Sequence, residues 1–272
     1  MCRAVELALD KAGLTAGDCV SIGVGAPGTC DPARGVVVCA YNLNWFDVPV
    51  CAMLTKHFAL PARLSNDANC AALAEVVAGA AVDCRSMVLV TLGTGVGGGV
   101  IVDGKIVSGL GGAGGEVGHS ILVLDGEPCT CGRRGCWEAY ASATALIRDT
   151  KRTMAAHPES LLHAIAAEQG GVDGRTAFLA KERGDEAGAQ VVEDYIEHLA
   201  CGLTNLVNIF FPEVLALSGG VANQGDALLL PLRERVRERS FGSRYAVSHT
   251  RIELCTLGYR AGVIGAAMLA LE

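Results

Sequence analysis

Glu116-Val117-Gly118-His119, then nine residues, Cys129-Thr130-Cys131, four more, Cys136 and, two positions on, Glu138: the rest of the chain is read around this stretch. One histidine and three cysteines within eighteen residues supply four nitrogen and sulfur ligands, the tetrahedral set that Zn²⁺ takes in a closed structural site. Gly132 and Gly135, with Arg133 and Arg134 between them, suit a tight knuckle that returns the third sulfur to the same ion. Glu116 and Glu138 bracket the ligands. Two other readings stand beside zinc: a chance gathering of thiols, since free cysteine is among the most buried residue types, and a strained Cys-x-Cys disulfide. Zinc is preferred because the other nine of the twelve cysteines are scattered singly.

Upstream, Met87-Val88-Leu89-Val90-Thr91-Leu92 is a buried strand that runs into Gly93-Thr94-Gly95-Val96-Gly97-Gly98-Gly99 and leaves through Val100-Ile101-Val102. Strand, glycine loop, strand is a hairpin, and the Lys-Ser/Thr of a P-loop is missing. Backbone amides in such a loop can wrap phosphate oxygens; a glycine-rich hairpin with no ligand is the alternative. Earlier still, the strand Ala62-Arg63-Leu64-Ser65 meets Asn66-Asp67-Ala68-Asn69, and an Ala-rich helix follows over 70–81. A polar cluster between strand and helix lies where α/β proteins place ligands, so Asp67 is a site candidate, with a plain helix cap as the equal reading. Downstream, a long helix over 187–211 stops at Pro212, and the strand Val214-Leu215-Ala216-Leu217-Ser218 meets Gly219-Gly220, where a flat ring or a phosphate can approach backbone.

The remaining pattern fills in an α/β chain: a helix tail over 1–14 stopped at Gly13, a strand over 20–25, a short one at Val36-Val37-Val38, loop at Asn42-Leu43-Asn44-Trp45 and a helix over 50–58. Glycines over 109–115 form a mobile approach to the knuckle, a helix spans 137–153, and polar helices fill 158–185. The run 233–239 reads as a solvated helical face, Ile252-Glu253-Leu254 as a strand, and 261–271 as a small-residue helix packing back on the first half.

At 272 residues, 51% hydrophobic and 19% charged, the chain is globular, with one large or two moderate domains. A net charge of −7 and a pI near 5.4 exclude a protein devoted to nucleic acid, so no direct nucleic-acid contact is expected. The first residues hold no apolar signal region, and the most apolar segment, 199–221, is broken by Asn205, Asn208, Pro212 and Glu213, so no membrane contact is expected. A cytoplasmic, reducing setting would keep twelve thiols reduced, nine of them as small core residues, among them Cys19, Cys30, Cys39, Cys51, Cys70 and Cys84.

Four of these motifs, Asn66-Asp67-Ala68-Asn69, the loop over 92–99, Gly115-Glu116-Val117-Gly118-His119 with its cysteines and Glu138, and Leu217-Ser218-Gly219-Gly220-Val221, resemble in order the ROK family of sugar kinases and sugar-responsive repressors. The short His119 to Cys129 spacing is similar to the bacterial glucokinase branch and to the N-acetylmannosamine kinases. The resemblance implies an actin-like, ribonuclease-H-type α/β fold of two lobes, a smaller one over 1–82 plus 258–272 carrying Asp67 and a larger one over 83–257, with sugar and ATP in the cleft. It implies that Asp67 is the general base, that Asn66, Glu116, His119 and Glu138 bind sugar hydroxyls, and that His119, Cys129, Cys131 and Cys136 hold structural zinc. Thr94, Gly95, Gly97 and Gly98 would meet the phosphates of Mg-ATP, with Gly219 and Gly220 near the nucleoside, in a homodimer.

One family motif is absent: no Asp-x-Gly-x-Thr occurs in the 272 residues. The expectation is therefore an N-terminally truncated chain, with the strand over 20–24 left unpaired along one edge and ATP use impaired. The leading function is ATP-dependent phosphorylation of a hexose hydroxyl. The alternatives are the sugar-sensing domain of a ROK transcriptional repressor and a non-catalytic sugar binder.

Overall fold

The computed structural model describes residues 1–242, 245 and 247–271. Unit 1 holds Met1–Asp83, Gly99–Gly115 and Thr256–Glu272, and unit 2 holds Cys84–Gly98 and Glu116–Cys255. The sequence reading places 99–115 with the larger lobe; here it belongs to unit 1, because its glycines lie flat on that unit. A Cβ on Gly99 would sit 2.5 Å from the Ala68 carbonyl oxygen, and one on Gly112 would sit 1.6 Å from that of Cys30.

In unit 1, α1 (Cys2–Ala12) ends at Gly13, whose φ of 68° is the expected left-handed stop. β1 (Ile22–Ala26) precedes an antiparallel sheet of β2 (Thr29–Asp31), β3 (Val36–Ala40) and β4 (Trp45–Val48). β4 corrects the sequence reading: the loop ends at Asn44, whose φ of 52° turns the chain so that Trp45 pairs with Ala40. α2 (Val50–Phe58) leads to β5 (Ala62–Asn66), which pairs in parallel with β1 in a two-stranded sheet. α3 (Asp67–Ala78) begins where β5 ends, earlier than the predicted 70–81, because Asn66 caps it. Val37, Leu54 and Leu64 are the buried centre of this half.

β6 (Met87–Leu92) and β7 (Val96–Val102) follow, and β7 carries the chain into unit 1, where its far half pairs with β8 (Lys105–Ile106). Gly97, Gly98 and Gly99 are therefore strand, and the turn is confined to Gly93-Thr94-Gly95. In unit 2, α4 (Glu138–Ala141) and α5 (Ala143–Ala156) replace the single helix predicted over 137–153. The break is Ser142, extended at ψ 163°, whose hydroxyl caps α5 by accepting the Ala145 N–H at 3.1 Å.

After α6 (Leu162–Gln169), α7 (Thr176–Glu182) and α8 (Glu186–Phe210) come β9 (Val214–Ser218), α9 (Asp226–Arg239) and β10 (Arg251–Leu254). The strand order is β10-β9-β6-β7, with β10, β9 and β6 parallel. Met87 to Val90 and Leu92 are all buried, which is why this central strand reads as an unbroken apolar run. The charged run of α9 is more than a solvated face, since Arg235 and Arg239 pair with Glu193 and Glu197 of α8.

α10 (Ala261–Leu269) packs on α3 within unit 1, close enough that a Cβ on Gly265 would lie 1.6 Å from the Cys70 carbonyl oxygen. Of the nine cysteines expected in the core, Cys30 and Cys70 are buried; Cys19, Cys39, Cys51 and Cys84 are only partly so, and Cys201 is on the outer face of α8. Among the described residues no helix is long and apolar enough to cross a membrane.

Candidate active site

In unit 1 the passage from β5 to α3 fixes two side chains. The Asn66 amide oxygen accepts the Ala68 N–H at 2.8 Å, and its NH₂ donates to the Gly28 carbonyl at 2.9 Å. Gly28, at φ 80°, has no room for a side chain: a Cβ would lie 2.1 Å from the Cys39 carbonyl oxygen. Asn66 is thus the cap, and Asp67 is left as the first residue of the helix.

Asp67 keeps one oxygen on the Ala68 N–H at 2.8 Å. The residue is solvent-accessible yet recessed among surrounding atoms, and that desolvation raises its pKa above the ordinary 3.8 against the lowering pull of backbone hydrogen bonds. Burial also raises the Cys30 thiol to about 11 and the Cys70 thiol to about 12, with the Asp67 charge adding to each. A groove of about 740 Å³ along β1 and α10 reaches Asp67.

In unit 2 the glycine turn is held from several sides. The Gly97 N–H donates to the Thr91 hydroxyl at 3.1 Å, and the Val96 N–H donates to the Glu138 carboxylate at 3.0 Å. The first turn of α5 docks on it as well: the Ala143 N–H donates to the Gly93 carbonyl at 2.8 Å and the Thr144 hydroxyl to the Thr94 carbonyl at 2.7 Å. At the end of β9, Gly219 has φ 93° and a Cβ there would meet the Leu92 carbonyl oxygen at 2.4 Å, whereas Gly220 faces open space. Gly219 is thus required by strand packing, while Gly220 leaves room for a ligand to approach.

The ligand set does gather. The Cys129 sulfur lies 3.7 Å from His119 Nδ1, the Cys131 and Cys136 sulfurs are 3.6 Å apart, and all four donor atoms lie within 4.8 Å of one another. Bonds of about 2.0–2.3 Å to a tetrahedral ion need donor separations of roughly 3.3–3.8 Å, so the residues fit Zn²⁺ with small adjustments.

Gly135, at φ 79°, makes the return possible, because a Cβ would strike the Val123 carbonyl oxygen at 1.7 Å. Beneath the knuckle Trp137 is buried, donating from Nε1 to the His198 carbonyl at 3.0 Å; a Cβ on Gly202 of α8 would meet its ring at 2.0 Å. Hydrogen bonds from Arg133 bring the exposed Cys131 thiol down to about 6, and burial pushes Cys136 up to about 12. Glu116 is exposed at the head of the short turn that carries His119.

The expected residues therefore fall into two described groups: Asn66 and Asp67 in unit 1, and the glycine turn, knuckle, Glu116 and Glu138 in unit 2. Sequence reasoning missed Thr91 and Thr144, which hold the turn. A Ser-x-Thr at a helix start signals a cap, but nothing local says which loop it will touch.

The ROK family pattern matches residues 1–272, and the chain belongs to the ROK family. A glucokinase of Halalkalibacterium halodurans is 36% identical over 256 residues, covering 94% of this chain and 77% of that protein. A ROK family glucokinase from Streptomyces griseus, crystallised in complex with glucose and AMPPNP, superposes with a TM-score of 0.80 at 33% identity over 99% of this chain and 86% of that one. The xylose repressor of Caldicellulosiruptor bescii is 31% identical over 268 residues, 98% of this chain and 66% of that protein. The mixed α/β architecture with its central sheet is that of the ROK, actin-like kinases.

Proposed function

We infer that this chain is an ATP-dependent hexose kinase of the glucokinase type, with Mg-ATP as phosphoryl donor. Asp67 accepts the proton of the attacking sugar hydroxyl, the sugar oxygen forms its bond to the terminal phosphorus, and the bond to the ADP oxygen breaks. Little covalent work falls to the protein, so positioning and charge stabilisation dominate.

Asn66, Glu116, His119 and Glu138 hold sugar hydroxyls, for which ionised acceptors are the strong partners. With Nδ1 of His119 turned to Cys129, Nε2 is the nitrogen left for a hydroxyl. Thr94, Gly95, Gly97 and Gly98 meet the phosphates, and Gly219 and Gly220 lie towards the nucleoside. Zinc on His119, Cys129, Cys131 and Cys136 cross-links the segment that carries these acceptors. We also propose a cytoplasmic homodimer, checked by light scattering.

The observation that carries the reading is Asp67: an accessible carboxylate whose proton affinity is raised by its surroundings, unpaired with any cation among the described residues, on a chain 36% identical to a glucokinase. The likeness to a xylose repressor supports a second reading, a sugar-sensing domain. A coupled ADP-release assay with glucose, mannose, fructose, N-acetylglucosamine, N-acetylmannosamine and xylose separates them. Release with at least one hexose is expected; calorimetric sugar binding without ADP release would overturn the kinase in favour of the sensor.

A further inference from the structure

Glu138 lies two residues beyond the last cysteine of the knuckle, and its carboxylate faces two ways. Oε2 accepts the Val96 N–H at 3.0 Å, at the exit of the glycine turn. Oε1 accepts the Thr130 hydroxyl at 3.2 Å and lies 3.6 Å from the Cys129 sulfur, both within the ligand loop. A carboxylate has about four acceptor sites on its two oxygens; this one uses one on each oxygen to join two loops and keeps the others for a sugar hydroxyl.

The fit is close. A Cβ on Gly95 would lie 2.3 Å from Oε2, so a side chain at 95 forces the carboxylate to shift. A second contact falls on the same strand start, since a Cβ on Gly118 would lie 2.1 Å from the Val96 carbonyl oxygen. Val96 is thus gripped through its N–H by Glu138 and through its carbonyl side by the turn that carries His119. The bare backbone at 95 serves this grip as well as any approaching phosphate.

We propose that Glu138 is a positioning residue that couples metal occupancy of the knuckle to the shape of the glycine turn, so that the ion, without touching nucleotide, sets how the phosphate-facing backbone is held. The proposal rests on the reading of the knuckle as a zinc site. With the ion in place the carboxylate is held on that side by Thr130, whose own position depends on the pinned loop.

Amide hydrogen exchange over 93–98 in the full chain, with no sugar or nucleotide present, tests this. The protein is compared zinc-loaded and chelator-stripped, after native mass spectrometry has counted the ion. Stripping should speed exchange at Val96 roughly ten- to hundredfold, the range for losing a hydrogen bond to a charged acceptor.

Glu138→Ala, with zinc still bound, should exchange as fast as the stripped wild type and respond no further to chelator. Gly95→Ala should do the same from the other side. Thr130→Val, a substitution at an exposed position that keeps the shape, should give a smaller rise and guards against a misfolded Glu138→Ala. Loaded protein whose 93–98 amides ignore chelation, or a Glu138→Ala protein that still responds, overturns the coupling alone; protein that holds no zinc at all fails the metal reading, and the coupling with it.

Discussion

The head of α3 and the cysteine knuckle both hold an acidic group away from its ordinary ionisation, by opposite means. At α3, burial lifts Asp67, and with it Cys30 and Cys70. At the knuckle, Cys131 stands in solvent and donors from Arg133 draw it down to about 6. The first region is made of a strand, a cap and a helix, held by a parallel pairing and by α10, and its shape asks for nothing further. The second is made of turns through Gly132 at φ 86° and Gly135 at φ 79°, with four lone-pair donors aimed at one point. A proton acceptor can be tuned by packing alone, whereas four donor atoms gathered within 4.8 Å of one another suit the proposed zinc.

Preventing the proposed zinc from binding is the largest perturbation. Cys136→Ser, at a wholly buried ligand, should abolish zinc binding and unfold the knuckle locally while α3 stays intact; structural zinc sites carry apparent binding free energies of about 10–16 kcal/mol in small peptides. The chain has two tryptophans, so in a Trp45→Phe background the emission of Trp137 should shift to the red on zinc loss. An unmoved Trp137 would erase the contrast between the two regions.

The reverse strike is Gly265→Ala, which forces a methyl onto the Cys70 carbonyl at the back of α3. Overpacking of this kind costs roughly 1–3 kcal/mol, so the denaturation midpoint should fall while zinc content is unchanged. Smallest is Arg239→Ala. It removes a half-exposed pair with Glu197 and should cost about 0.2–1 kcal/mol in urea unfolding.

What the sequence makes legible follows the same division. β6, β9 and α8 announce themselves by unbroken apolar runs or helical period, and the knuckle by ligand spacing. β4 was hidden because Asn42 and Asn44 carry the composition of a loop and Asp47, at φ 49°, is unusual within a strand. Gly97 to Gly99 read as loop because glycine weakens strands in general; here Gly99 must be bare to lie on Ala68 and Ala72. The bond from Val96 to Glu138 and that from Thr144 to Thr94 join residues more than forty positions apart, and no local pattern encodes them.

Asp67 carries the account, and its raised pKa gives a signed expectation. A carboxyl whose folded pKa lies above its unfolded value contributes stability below the ordinary 3.8 that is lost as pH rises through the folded value. At neutral pH its charge is therefore a burden on the fold that the proposed general-base role would need. The decisive measurement is turnover with the best hexose, alongside the melting temperature, for wild type and Asp67→Asn across pH 4 to 8 with zinc content checked. Turnover should drop about 10²–10⁴-fold, zinc should stay bound, the melting temperature at neutral pH should hold or rise, and the acid limb of the wild type should lie above the ordinary carboxylate value. Undiminished turnover in Asp67→Asn would contradict the account.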